Sequence, residues 1–341
     1  MAHPNEPNAA AWPVDLEHTR MTPTDQACRY ILMPSAKTTV ERREFLRTAL
    51  LALAAASIGL PGVARAQPTN SANPSASPYP NRGSTMAQLS SSTAPITVVL
   101  VHGAFADASS WTGVIERLQG AGVQVMAPAN PLRGIAIDSA YLASVISQIS
   151  GPVLAVGHSY AGALISNAAS VAKNVVGLVF VAAFAPDEGE RLGELASGSK
   201  DSLLGTAQIP LHYPTGPDGS TAVEFAVDPA KFREVFAADL TAKQADVLAA
   251  TQRPVSELAF SQPNGTPAWK GLPSWAVIAT SDRAAGADIT RSMAQRAGAN
   301  ITEIEGSHVV MISQPEAVTD VILSAMAGVN QATDAGRRSA V

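Results

Sequence analysis

Residues 153–162, which read Val-Leu-Ala-Val-Gly-His-Ser-Tyr-Ala-Gly, decide the fold. The first four are apolar, as expected of a strand buried on both faces of a parallel sheet. Residues 161–172 are predicted to form a helix. Between the strand and the helix, Gly157 and Ala161 flank Ser159 in the pattern Gly-x-Ser-x-small. Both flanking positions must be small, because bulky side chains would clash in such a sharp turn. The segment therefore predicts a turn that exposes Ser159 beside a helix N-terminus, whose N–H groups favour a developing negative charge.

The chain on both sides of this segment alternates between short apolar runs and stretches with helical periodicity. Strands that alternate with helices of this length indicate βαβ units with right-handed crossovers. We therefore expect an α/β protein with a mostly parallel, doubly wound sheet. The predicted strands cover residues 96–101, 123–127, 153–156, 175–182, 275–279 and 301–304, and the predicted helices cover residues 109–119, 137–149, 161–172, 289–297 and 314–326.

The alternation stops between two predicted sheet strands, over about residues 187–272. This interval begins with Gly, Ser and Pro and continues with short helical pieces at 230–238, 242–251 and 255–259. Thr241 and Gln244 have the pattern of a capping box at the start of the second piece. We interpret the insertion as a helical cap over the functional site; the alternative is a surface excursion unrelated to function.

Ser159 needs a neighbouring base, because a serine hydroxyl is a weak nucleophile by itself. Beyond residue 66 the chain has four histidines, and the base is assigned by elimination. His158 points away from Ser159 across the turn, His212 lies in the cap, and His102 follows the first strand. His308, in a loop after the last predicted strand, is the predicted base.

The carboxylate that orients the base is expected between Ser159 and His308, since the order Ser, acid, His is the one this arrangement uses. Asp282 follows the predicted strand 275–279 and is our choice. Asp187, which follows an earlier strand, is the competing candidate.

Two backbone N–H groups are predicted to stabilise negative charge on a substrate oxygen. One belongs to Tyr160, the residue after the nucleophile, and the other to Ala104 in the loop after the first strand. Phe105 is an alternative second donor, and His102 is expected to brace the loop rather than to react. Aromatic residues are expected to line a substrate pocket or to pack the cap on the core: Phe105, Phe225, Phe232, Phe236 and Trp269.

The N-terminal residues 1–66 are predicted to be an extension that carries an export signal. Arg42 and Arg43 precede an apolar run over 49–60, and Ala64-Arg65-Ala66 has the form of a cleavage site. The arginine pair resembles the twin-arginine type of signal. About 12 apolar residues are too few to span a bilayer, which needs ~20. We expect export to the periplasm or outside the cell, with no stable membrane anchor after cleavage.

The remaining composition restricts the classes of function. Residues 67–94 lack any hydrophobic period and are predicted to be a flexible linker, followed by one domain over 95–330 and a tail over 331–341. The net charge of −5 argues against a nucleic-acid partner. Cys28 is the only cysteine, so neither a disulfide framework nor a cysteine metal site is expected. The sequence has no dinucleotide fingerprint, no P-loop and no metal-ligand pattern, so we expect no cofactor and no metal.

Four segments together resemble the α/β-hydrolase superfamily: Val-His-Gly-Ala-Phe (101–105), Gly-His-Ser-Tyr-Ala-Gly (157–162), Ala-Ala-Phe-Ala-Pro-Asp-Glu-Gly-Glu (182–190) and Gly-Ser-His-Val-Val-Met-Ile-Ser-Gln-Pro (306–315). Within it the chain is most similar to small bacterial carboxylesterases, pyrethroid-type hydrolases and plant methylesterases. The resemblance implies a sheet designed on eight strands and a Ser159–Asp282–His308 triad. It also implies hydrolysis of small ester substrates.

Relatives with other reactions differ from this chain at identifiable positions. The dehalogenases and epoxide hydrolases of this fold have an Asp nucleophile where this chain has Ser159. The hydroxynitrile lyases carry a Lys directly after the catalytic His, and this chain has Val309 there. Ester hydrolysis is therefore favoured over lyase chemistry. A cofactor-free haloperoxidase or perhydrolase would keep the same triad, and a catalytically silent ligand-binding homologue is a further alternative.

Overall fold

The structure, a computed structural model, describes residues 94–339, and their side chains as far as Gln331. The predicted export signal and almost all of the predicted linker lie outside the described residues. In chain order the elements are β1 (Thr97–Val101), α1 (Thr112–Gly120), β2 (Gln124–Met126), α2 (Ile135–Ser147), β3 (Val153–His158), α3 (Ala161–Val171), β4 (Val175–Val181), α4 (Leu192–Ser197), α5 (Leu204–Ala207), β5 (Gln208–Pro214), β6 (Thr221–Val227), α6 (Pro229–Phe236), α7 (Ala242–Thr251), β7 (Val255–Ser256), α8 (Leu258–Ser261), β8 (Ser274–Ala279), α9 (Ala287–Arg296), β9 (Asn300–Ile304), α10 (Val310–Ser313) and α11 (Pro315–Ser339).

The larger sheet has the strand order β2-β1-β3-β4-β8-β9, and all of its pairs are parallel. Its central strands β1 and β3 are buried at every residue, because helices cover both faces of the sheet. The predicted parallel, doubly wound sheet is therefore confirmed. The described residues contribute six strands to this sheet, two fewer than the eight-strand design.

The inserted cap is only partly helical, which corrects the prediction. Strands β5, β6 and β7 form a separate antiparallel sheet, and the predicted helix at 255–259 is instead β7 followed by α8. Most of β5 is exposed, and it contains Pro210 and Pro214. β5 is an edge strand, and such a strand tolerates proline and needs no alternating apolar face. Its sequence therefore lacks the alternation of apolar and polar residues that would have predicted a strand. The capping box of Thr241 and Gln244 is present at the start of α7.

The last helix, α11, is longer than its apolar pattern predicted. It continues to Ser339 and so includes most of the segment 331–341 that we treated as a tail. Its buried residues Val318, Ile322, Ala325 and Val329 recur at helical spacing and pack it on the core. No helix among the described residues is long and apolar enough to cross a membrane.

Candidate active site

Ser159 occupies a strained turn between β3 and α3. Its φ of 55° is in the left-handed region, which costs energy for a residue with a side chain. The turn is tight on both sides of it. A Cβ on Gly157 would lie 2.7 Å from the carbonyl oxygen of Ala161, and one on Gly162 would collide with the carbonyl oxygen of Phe184. The small residues quoted above are therefore required by this geometry.

His308 and Asp282 are joined by a hydrogen bond, in which Nδ1 of His308 donates to Oδ2 of Asp282 at 2.8 Å. Both side chains are buried. The other carboxylate oxygen of Asp282 accepts the N–H groups of Ala284 at 2.8 Å and Ala285 at 3.0 Å. These three bonds fix the carboxylate and, through it, the orientation of the imidazole ring. The Nε2 atom of His308 is left available as a proton acceptor.

The alternative acid, Asp187, lies in a different environment. Its carboxylate is partly exposed and pairs with Nζ of Lys270 at 2.5 Å. Its hydrogen bond to Lys270 lowers the pKa of Asp187. The structure thus brings Asp282, and not Asp187, to His308.

His158 connects the turn of Ser159 to the loop of His308. Its Nε2 donates to the backbone carbonyl of His308 at 2.9 Å, and the two ring centroids are 4.6 Å apart. Burial, followed by the charge of His308, holds the pKa of His158 well below its usual value. In residues 94–331 no hydrogen bond joins Ser159 Oγ to His308 Nε2; such bonds are often long before substrate binds.

The loop His102–Phe105, called the oxyanion loop below, approaches the turn of Ser159 closely. In the described part of the chain, the N–H groups of Ala104 and Tyr160 have no hydrogen-bond acceptor. The N–H of Phe105 is already bound, since it donates to the carbonyl of Arg253 at 3.2 Å. Ala104 therefore suits the role of second donor better than Phe105 does.

The side chain of Tyr160 is anchored by a buried carboxylate that the sequence did not single out. Its hydroxyl donates to Asp138 Oδ2 at 2.8 Å, and Asp138 also accepts the backbone N–H groups of Arg133 and Gly134. Burial and the Asp138 carboxylate raise the pKa of Tyr160 well above its usual value. Nothing in the local pattern around Asp138 signals this contact, because its partner is 22 residues away.

The cap also holds the loop of His308 directly. Asp239, between α6 and α7, accepts the backbone N–H of Ser307 at 2.9 Å and its hydroxyl at 2.5 Å. Ser307 is buried and immediately precedes His308. This contact was also missed by the sequence analysis, since it joins residues 68 positions apart.

A narrow cavity of about 20 Å³ lies between the cap and the oxyanion loop. Phe105, Phe232 and Phe236 line it together with Leu248 and Val309. Phe236 lies between this cavity and the predicted base, since the centroid of its ring is 4.8 Å from that of His308; neither His308 nor Ser159 is among the residues that line the cavity. The volume is enough for about one water molecule.

Two of the aromatic residues, Phe225 and Trp269, lie away from this cavity and make packing contacts, which was the alternative to lining a pocket. Phe225 lines a different cavity of about 240 Å³ and packs against Phe260. Trp269 is buried, donates its indole N–H to the carbonyl of Pro186 at 3.1 Å, and packs near two cationic side chains. Both side chains therefore make their contacts away from His308. No group of three or more His, Cys, Asp or Glu residues among those described could hold a metal ion.

The parallel sheet, the strained serine turn and the buried His–Asp pair define a class of protein. A family model described as "Alpha/beta hydrolase family" matches residues 98–321, and the chain belongs to this family. No curated protein matched the chain.

Several solved structures share the fold. Polyneuridine aldehyde esterase is 21% identical and has a TM-score of 0.57, with 67% of this chain and 98% of that chain covered. A pyrethroid hydrolase from Sphingobium faniae is 20% identical with a TM-score of 0.54, covering 68% and 97%. An extracellular alpha/beta-hydrolase from a Paenibacillus species is 21% identical with a TM-score of 0.53, covering 68% and 99%.

Proposed function

We propose that this chain is a serine carboxylic ester hydrolase that acts on small to medium hydrophobic esters through an acyl-enzyme. The observation that carries the proposal is the buried His308–Asp282 hydrogen bond, linked through His158 to the strained turn of Ser159. The esterases among the structural relatives support the same reaction class.

In the proposed mechanism Ser159 Oγ attacks the acyl carbon while Nε2 of His308 takes its proton. Asp282 keeps the proton of His308 on Nδ1 and stabilises the imidazolium that forms. The N–H groups of Ala104 and Tyr160 bind the oxyanion. The leaving alcohol takes the proton from His308, and an ester bond to Ser159 remains. Water then attacks this ester with His308 as base, which releases the acid and restores the serine. The proposal needs no cofactor and no metal.

Val309 distinguishes this reaction from cyanohydrin cleavage on the same triad. Its side chain is buried and apolar and lines the cavity beside His308. A departing cyanide would place negative charge there without a cation to stabilise it. An alcohol leaving group needs no such cation, because it receives a proton from His308.

We also propose that the protein is exported, to the periplasm or outside the cell, and that residues 1–66 are removed. The support is the order of Arg42-Arg43, the apolar run and Ala64-Arg65-Ala66. A structural relative from Paenibacillus is extracellular. The proposed partner is a small ester, with neither nucleic acid nor a stable membrane anchor.

The decisive experiment measures turnover of p-nitrophenyl esters of graded acyl length by the protein and by Ser159→Ala. Mandelonitrile cleavage and peroxide-dependent halogenation are measured alongside. We expect ester hydrolysis that depends on Ser159, with negligible cyanide release. Full esterase activity in a folded Ser159→Ala variant would overturn the mechanism. Cyanide release faster than ester turnover, or halogenation as the sole activity, would overturn the assignment.

A further inference from the structure

Arg253 joins the cap to the oxyanion loop through both its backbone and its side chain. It lies between α7 and β7, where its carbonyl accepts the N–H of Phe105 at 3.2 Å. Its guanidinium Nη1 donates to the carbonyl of Asn130 at 2.8 Å and is 3.4 Å from Nε2 of His102. The side chain is half-buried. One cap residue therefore contacts both ends of the oxyanion loop.

His102, at the start of this loop, is bound in a way that requires a neutral ring. Its Nδ1 donates to the carbonyl of Gly103 at 2.9 Å, so Nε2 must accept the N–H of Asn130, also at 2.9 Å. The side-chain amide of Asn130 in turn donates a hydrogen bond to the carbonyl of His102 at 3.1 Å. A protonated His102 would carry a hydrogen on Nε2, which would face the N–H of Asn130 and break the pair.

Three ionisable groups influence the charge of His102, namely Arg253, Asp107 and His158. Burial lowers the pKa of His102, and the Arg253 charge lowers it further, while the Gly103 carbonyl and Asp107 act in the opposite direction. The overall shift is downward. Arg253 thus contributes to keeping His102 neutral as well as to holding Asn130.

We infer that Arg253 is a positioning residue through which the cap keeps the oxyanion loop, and with it the Ala104 N–H, in the geometry that binds an oxyanion. The inference rests on the proposed function. Losing an oxyanion donor outright costs about 10²–10³-fold in kcat. Displacing the loop that carries one is expected to cost less, about tenfold.

The kinetic test compares Arg253→Met, which loses the charge and the donor, with Arg253→Lys, which keeps the charge and one donor. Arg253→Met should lower kcat about tenfold at pH 8 with little change in KM, since the lost interaction acts in the transition state. As the pH decreases, its kcat/KM should also begin to fall at a higher pH than that of the natural protein, because loss of the Arg253 charge removes one cause of the lowered pKa of His102. Arg253→Lys should recover most of both effects. Arg191→Met is the matched control: Arg191 is a cap arginine whose side chain donates to the carbonyl of Ser261 at 3.0 Å, also within the cap, so the profile should not change.

A second measurement needs no substrate. The NMR titration of the His102 ring, assigned from the spectrum of a His102→Asn variant, should give a higher pKa in Arg253→Met than in the natural protein. Thermal unfolding establishes that each variant is folded. An unchanged kcat in folded Arg253→Met, or an unchanged His102 titration, would overturn the inference. If the natural protein hydrolyses no ester, the proposed function fails, and the titration alone decides the role of Arg253.

Discussion

Replacing Gly103 with alanine should separate the oxyanion loop from the nucleophile without unfolding the protein. A Cβ at position 103 would lie 2.7 Å from Cβ of Ser159 and 2.8 Å from the carbonyl oxygen of His158. Carbon atoms in favourable contact are about 3.5 Å apart or more, so the two loops must separate by about 0.8 Å. A displacement of about 1 Å at a reacting centre can cost about 10²-fold in rate. We therefore expect kcat to fall about 10²-fold in Gly103→Ala, which corresponds to about 2.7 kcal/mol.

The assay is the steady-state hydrolysis of a p-nitrophenyl ester, with thermal unfolding to confirm that the variant is folded. Gly120→Ala, at the end of α1, is the control, because a Cβ there meets no heavy atom within 4 Å. This control should retain full activity. A folded Gly103→Ala variant with unchanged kcat would refute the reasoning, because the two loops would then not need their close approach for catalysis.

Further outcomes are expected from the same geometry. Ser159→Ala and His308→Ala should each lower kcat at least ~10³-fold and Asp282→Asn should be severe, whereas a severe effect of Asp187→Asn would overturn the choice of acid. Burial raises the pKa of Asp239, but hydrogen bonding, chiefly from the hydroxyl and backbone N–H of Ser307, outweighs it and leaves the pKa below 3.8. The pairing thus stabilises the fold above that value and is lost as pH falls through the lowered pKa. Urea unfolding should show that Asp239→Asn destabilises the protein at about pH 7 and much less at about pH 3, and an equal difference at both would contradict this. Leu248→Ala should raise kcat/KM for longer acyl chains relative to acetate by widening the cavity; an unaltered chain-length preference would exclude that role. Replacing both Arg42 and Arg43 with lysine should block export, and unchanged secretion would indicate the general secretory route instead of the twin-arginine route. N-terminal sequencing should show that the exported protein starts near Gln67.

The sheet could be predicted because its strands have a strong local signal. β1, β3 and β4 are apolar runs buried on both faces, and β1 and β3 are each followed by a helix that the apolar period predicted. The predicted bounds differ from the observed ones by one or two residues at most of these ends. The turn of Ser159 could be predicted for the same reason, since its small residues are a local requirement of the backbone.

The cap and its contacts could not be predicted in this way. Strand β5 is largely exposed and is held by pairing with β6 rather than by burying one face. The contacts of Asp138, Asp239 and Arg253 with the site join residues that are 22 to 151 positions apart. Such pairs depend on how the cap and loops meet in three dimensions. No spacing in a single sequence encodes them.

The narrow cavity beside His308 has a consequence for apparent affinity. A space of about 20 Å³ holds about one water molecule, so an ester that used this cavity would need an arrangement in which the cap lies farther from the oxyanion loop. The apparent dissociation constant then equals the intrinsic one divided by the fraction of molecules that are open. If one molecule in about a hundred is open, binding is weakened about a hundredfold relative to the open form alone. Substitutions that shift this equilibrium would alter substrate affinity without touching the substrate, and they would do so for every ester by the same factor.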